Sequence, residues 1–341
     1  MIISSIGTAV PKYKVNQNDA VARLSKLISM STEEEKLLKR LYKSSGINSR
    51  HSVIPDFSDS QADNVFWDEQ PRNNQSPSTY KRMSIYKNNA LPLAIQAISS
   101  CLVQNQYLNI SDITHIITVS CTGMYAPGLD IEIIKHFGMK SSTPRTTINF
   151  MGCYGAFNGM KVASAFCKEN PSAKVLLVCV ELCSIHFQDE LSMSNVVSNA
   201  IFSDGAAAAL IEADSASARF LNLDTFHCDI APDSEEHMSW NIGNHGFEMV
   251  LDSYVPSLIK FGINHFFKTL LNKTDICIDD IDDFAIHPGG IKILQGCEQA
   301  LDIPKEKIRS SYSVLGKFGN MSSATILFVL KDIIWTFDKP A

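Results

Sequence analysis

The sequence predicts a layered α/β fold built from two copies of one unit, and three observations carry that prediction. Apolar runs of strand length alternate with helix-length amphipathic stretches along the 341 residues. The order strand, helix, strand, helix occurs twice. In each copy a glycine followed by a polar side chain opens the second helix, as Gly152-Cys153 and as Gly319-Asn320.

Met1 to Val10, closed by Pro11, reads as a first strand and turn. It lacks a basic leader region and is broken by Gly7, so it does not read as a signal peptide. Behind Glu33-Glu34-Glu35, the residues Lys36, Lys39, Arg40 and Lys43 recur every three to four positions and share one helical face. The first copy then runs through a buried strand, Asp112 to Ser120, ending in Cys121-Thr122-Gly123. A helix follows from Leu129 to Phe137, then a short strand from Thr146 to Phe150 and a helix from Ala156 to Lys168. Two more strands, Lys174 to Glu181 and Ala200 to Ile211, complete it.

The second copy replays this order. It has a strand from Ile281 to Ile286 ending in His287-Pro288-Gly289-Gly290, and a helix from Ile291 to Ala300. An extended run, Ser310 to Leu315, precedes a helix from Ser322 to Ile334. The polar stretch Asp214 to Ala218 marks the division, giving an N-terminal half, 1–215, and a C-terminal half, 216–341. After its last helix the second copy has only Trp335 to Ala341, where the first copy has two strands. The expectation is a C-terminally truncated half that lacks its last two strands and leaves an apolar sheet edge open.

Bulk properties exclude several classes. With 45% hydrophobic and 19% charged residues the chain has an ordinary globular composition, and a net charge of −6 gives no general attraction to nucleic acid or anionic membrane. No apolar run reaches membrane-spanning length. Nine cysteines, an odd number without Cys-x-x-Cys pairs, fit reduced thiols in a cytoplasmic protein. His227, His237 and His245 are irregularly spaced and read as scattered surface residues, so no metal site is expected.

The chemistry concentrates in Cys153, His287 and Asn320. A cysteine at a helix start feels the positive end of the macrodipole, which favours thiolate. An imidazole can take its proton, and a carboxamide can donate to a developing oxyanion. Each residue alone has a bland reading: core cysteine, strand-end histidine, helix cap. Their matching places in the repeat join them into a nucleophile, base and oxyanion-donor set for acyl transfer. If the halves pack about a pseudo-twofold axis, the three side chains converge.

At these residues the chain resembles the type III polyketide synthases, the chalcone synthase-like branch of the thiolase superfamily. The resemblance runs from Met1 to about Leu330 through Cys121-Thr122-Gly123 with Pro127-Gly128-Leu129-Asp130, Gly152-Cys153-Tyr154 and Phe202-Ser203-Asp204-Gly205. Ala231-Pro232-Asp233-Ser234, His287-Pro288-Gly289-Gly290 and Gly319-Asn320-Met321-Ser322-Ser323 complete the series. It implies a thiolase-like αβαβα fold and a homodimer that needs neither metal nor redox cofactor, with CoA thioesters as substrates. It implies that Cys153 carries the acyl chain from an acyl-CoA starter, while His287 and Asn320 promote decarboxylation of malonyl-CoA. Phe202 and Phe247 match the family's gate, and Thr122, Cys183, His186 and Ser322 fall at pocket positions. CoA phosphates would meet Arg40, Lys43 and Lys36.

Departures from the plant enzymes are specific. Tyr154-Gly155-Ala156-Phe157 follows the nucleophile, as in bacterial-type members; Cys183 and His186 stand where the plant pocket has two threonines; and Ala126 stands where methionine reaches across the dimer. These argue against a chalcone and for a fatty acyl starter giving an alkylpyrone or alkylresorcinol. The family's Gly-Phe-Gly-Pro-Gly segment is absent, in line with the two strands missing from the repeat. The rival readings are a β-ketoacyl-ACP synthase III-like condensing enzyme, an inactive truncated fragment and, more distantly, a cysteine hydrolase.

Overall fold

The computed structural model describes residues 1–27, 30–58, 65–66, 76–105, 108–213, 221–232, 234–252 and 254–336. The chain opens with strands Ile2–Ala9 (β1) and Tyr13–Asn16 (β2), then helices Gln17–Leu27 (α1) and Thr32–Ser44 (α2). A capping box starts α2: the Ser31 hydroxyl accepts the Glu34 amide, and the Glu34 carboxylate accepts the Ser31 amide. Strand Ser49–Ser52 (β3) pairs antiparallel with β2, and helix Thr79–Gln104 (α3) follows. Then come His115–Ser120 (β4), Leu129–Phe137 (α4), Arg145–Asn149 (β5), Gly155–Glu169 (α5), Lys174–Leu182 (β6), Met193–Ile201 (α6), Asp204–Glu212 (β7) and Leu221–Asn222 (β8). The remainder holds the hairpin Met238–Gly243 (β9) and Gly246–Leu251 (β10), and helices Val255–Leu271 (α7), Ile291–Leu301 (α8), Arg309–Phe318 (α9) and Thr325–Thr336 (α10).

Six strands form one mixed sheet in the order β5-β4-β6-β7-β1-β8. β4 runs parallel to β5 and β6, while β7 is antiparallel to both β6 and β1. β6 and β7 are buried along almost their whole length, which is why they read as unbroken apolar runs and not as alternating ones. α3 covers one face through Ala90, Ala94, Ala97 and Ile98. The other face receives Ala156, Met160 and Ala163 of α5 together with Ile326, Leu327, Val329 and Ile333 of α10. The last helix of the second half therefore rests on the sheet of the first. Each large apolar side chain it buries contributes about 1.5–3 kcal/mol.

The second half has its own apolar cluster of Phe284, Leu294, Leu301, Ile303, Ile308 and Leu315, joined by Ile47 from the first half. Here two expectations are corrected. Ile281 to Ile286 has no strand partner among the described residues; a strand exists only through ladder hydrogen bonds, and without them the segment stays irregular. Ser310 to Leu315 lies in α9, where Ser310, Ser311, Val314 and Leu315 bury one helical face. The expected division at Asp214 to Ala218 falls outside the described residues. No helix among the described residues is long and apolar enough to cross a membrane.

Candidate active site

Cys153 lies where β5 gives way to α5. Gly152, just before it, takes a left-handed φ of 62°, and a single 3-10 turn, Gly152–Tyr154, leads directly into the helix. Gly155 is needed because a β-carbon there would stand 2.6 Å from Val119 Cγ1 of β4. The second half repeats the device. Gly319 has a φ of 71°, and a 3-10 turn, Ser322–Ala324, leads into α10 just beyond Asn320.

Asn320 is buried and fixed by backbone on both sides. Its amide donates to the Ile201 carbonyl at 2.9 Å, and its carbonyl accepts the Ser203 amide at 2.9 Å. Its Oδ1 accepts the Ser322 amide at 2.9 Å, which orients the carboxamide. Nδ2 then lies 3.9 Å from Cys153 Sγ and donates to the Gly289 carbonyl at 3.3 Å. Cys153 and the Asn320 carboxamide meet across the two halves. His287 stands two residues before that carbonyl, in the irregular segment. Both of its ring nitrogens are buried with no hydrogen-bond partner.

Burial decides the electrostatics of the site. It pushes the Cys153 thiol up to about 11, outweighing the hydrogen bonds from Ser322 and Asn320 that favour thiolate. It pushes His287 down to about 4. The helix-start argument for a resting thiolate is therefore overridden by desolvation. At neutral pH Cys153 is then a thiol and His287 a neutral imidazole.

A cavity of about 450 Å³ opens on Cys153. Thr122, Cys183, His186, Phe202, Phe247 and Ser322 all line it; His287 and Asn320 are not among its lining residues. His186 is fully committed. Its Nδ1 accepts the Phe247 amide at 2.9 Å, leaving Nε2 to donate to the Thr122 carbonyl at 2.7 Å. Burial pushes it down to about 3, and its ring stacks on Phe247 at 4.2 Å. It braces the wall as a neutral ring. Lys36, Arg40 and Lys43 sit on the exposed face of α2, well placed for a phosphate arriving from solvent, and neighbouring Lys39 pairs with Glu35 at 2.5 Å. The opposite face of α2 buries Leu38 and Tyr42.

Two site residues escaped the sequence reading. Glu181 is buried and accepts the Cys121 amide at 3.0 Å, the Thr122 hydroxyl at 2.8 Å and the Ser323 hydroxyl, so one carboxyl group ties two strand ends to the start of α10. Burial raises its pKa against those bonds. A lone acid closing the apolar run Val175 to Val180 was the available signal. Trp240 is the other: its indole donates to the Cys121 carbonyl at 2.8 Å and its ring meets Phe247 edge-on. The three expected surface histidines have separate partners: His237 with Asp252, His245 with the Ser76 carbonyl and His227 with Lys273.

Comparison with known proteins is consistent along the chain. Residues 1–215 match the profile for "Chalcone and stilbene synthases, N-terminal domain" and residues 222–336 the corresponding C-terminal domain. The "Alpha-pyrone synthesis polyketide synthase-like Pks18" of Mycobacterium tuberculosis is 31% identical over 340 residues, covering 98% of this chain and 83% of that protein. A "Putative chalcone synthase" of Bacillus subtilis is 30% identical, covering 97% of this chain and 90% of its own length. The crystal structure of PKS-I from the brown alga Ectocarpus siliculosus superposes with a TM-score of 0.88 at 30% identity, covering 99% of this chain and 89% of that one.

Proposed function

The chain belongs to the chalcone and stilbene synthase family of type III polyketide synthases, and from that premise we propose how its own residues perform acyl transfer and decarboxylative condensation. Cys153 attacks the carbonyl of an acyl-CoA starter as its proton passes to His287, and the CoA thiol leaves carrying a proton. Malonyl-CoA then loses CO2, and the enolate oxygen accepts from Asn320 Nδ2 and from a neutral His287 N–H. A histidine held near 4 stays neutral at working pH and can serve as that donor. The enolate carbon attacks the Cys153 thioester, which returns the sulfur and lengthens the chain by two carbons. The observation that carries this reading is the approach of Asn320 to Cys153 at 3.9 Å across the two halves.

Phe57, Phe187, Met238, Trp240 and Met249 make the cavity wall largely apolar, which supports a hydrocarbon starter and an alkylpyrone or alkylresorcinol product. The relative named for alpha-pyrone synthesis points the same way. Lys36, Arg40 and Lys43 would hold the CoA phosphates. A second copy of the chain is the proposed partner: β5 is an edge strand of the main sheet, and Met124 and Met151 near it are exposed. CoA thioesters alone suffice in this reading, in the cytoplasm, so a chelator leaves turnover unchanged.

The test is mass spectrometry of products from mixed acyl-CoA starters with malonyl-CoA. Carbon-extended lactones are expected. Free acid and CoA alone would point to a hydrolase, and a strict need for an acyl carrier protein would point to a β-ketoacyl-ACP synthase.

A further inference from the structure

Away from Cys153, the cavity has a second polar cluster that the reaction above does not use. Tyr42 on α2, Ser198 on α6 and Arg50 on β3 all line it. Tyr42 is 1% exposed and Ser198 8%, yet neither hydroxyl has a hydrogen-bond partner. A buried hydroxyl without a partner is disfavoured, and two on residues that line one cavity need explanation. Arg50 lies beside Tyr42, its guanidinium 5.7 Å from the ring centroid. Its Nε donates to Gln17 Oε1 at 2.9 Å, and Nη1 donates to the Asn199 and Phe202 carbonyls at 2.7 and 2.8 Å. These bonds cap the end of α6 and hold the guanidinium still beside Tyr42, where its charge acts on the phenol against the effect of burial. Val15, Ala20, Leu24 and Phe57 form the apolar surroundings.

We infer that Tyr42, Ser198 and Arg50 form a subsite that binds a hydrogen-bond-accepting oxygen, carboxylate or amide carbonyl, on the thioester being delivered to Cys153. The inference rests on the acyl-CoA reading above and deepens it. Two parts of the substrate carry such an oxygen. One is the pantetheine arm, since α2 carries Tyr42 on its inner face and the proposed phosphate-binding residues on its outer face. The other is the far end of an acyl chain that terminates in a carboxylate.

The test is Tyr42→Phe, which removes one oxygen and no packing, with Ser198→Ala as a second variant. Loading of Cys153 is followed by intact-protein mass spectrometry with octanoyl-CoA and with the CoA monothioester of octanedioic acid. Free CoA binding is measured by calorimetry. The expected result is a rise in KM of about threefold to tenfold with kcat retained, and no fall in Tm for Ser198→Ala, whose hydroxyl has no protein partner. A pantetheine contact weakens both substrates and free CoA alike. A carboxylate contact weakens only the octanedioyl substrate. Unchanged KM and CoA affinity in both variants would overturn the subsite, as would a lowered Tm accompanying the kinetic change in Ser198→Ala. If the wild-type enzyme forms no carbon-extended product, the condensation reading falls, while the CoA titration still decides whether these hydroxyls touch the thiol carrier.

Discussion

The two halves reach the same local geometry by different means. In the first, Cys153 is set at the start of a helix that lies on a six-stranded sheet. In the second, Asn320 is set at the start of a helix that lies on that same sheet; among the described residues the paired strands of its own half are β8, at the edge of that sheet, and the hairpin β9–β10. Bonds to Ile201, Ser203 and Gly289 hold Asn320 in place. His287 has no equivalent anchoring, because both its ring nitrogens are unpartnered and it sits in the irregular segment. The difference teaches that a catalytic residue can be placed by the opposite half of a repeat as firmly as by its own.

The largest effect that sharpens this contrast is at the nucleophile. Cys153→Ala abolishes starter loading, read as loss of the acyl mass on the intact protein; a retained adduct would move the nucleophile elsewhere. Asn320→Ala leaves loading intact but slows malonyl-CoA decarboxylation by about 10²–10³-fold, as removal of an oxyanion donor does. Unchanged CO2 release would deny the second half that role. Glu181→Ala strands three buried donors at the junction between the halves and costs about 3 kcal/mol or more, measurable by denaturant unfolding. A neutral result would mean that the halves are joined by packing alone.

A smaller effect tests the resting charge state. With the thiol pushed up to about 11, Cys153 is protonated at neutral pH and becomes thiolate only as pH rises. Its alkylation by iodoacetamide should accelerate about tenfold per pH unit from 7 to 9. A rate already flat above pH 6 would mean that His287 holds a preformed ion pair. Smallest of all, amides of residues 281–289 should exchange faster than those of β6 by native-state hydrogen exchange. Equal protection would show that the irregular segment is as well secured as the sheet.

Much of the scaffold was legible in the sequence because burial leaves a pattern. β6 and β7 are unbroken apolar runs, Leu129 to Phe137 is framed by Gly128 and Gly138, and the repeated glycine-plus-polar pair marks both helix starts. The misreadings came from partners that a local pattern cannot supply. Ile281 to Ile286 has strand-like composition but no strand partner among the described residues, and Ser310 to Leu315 is short enough for either period to fit. Cys153 and Asn320 were legible through the repeat. Glu181 was not, since its role depends on Cys121-Thr122 and Ser323 arriving from two other, distant segments. The burial that raises the Cys153 thiol was not legible, because a helix-end argument carries no measure of it.

The central claim is that sulfur, imidazole and carboxamide address one reacting carbonyl. A crystal structure of the Cys153 acyl-enzyme tests it most directly. The thioester oxygen should lie about 2.7–3.1 Å from both a His287 ring nitrogen and Asn320 Nδ2. An oxygen turned away from both donors, toward solvent or another wall of the cavity, would contradict the account.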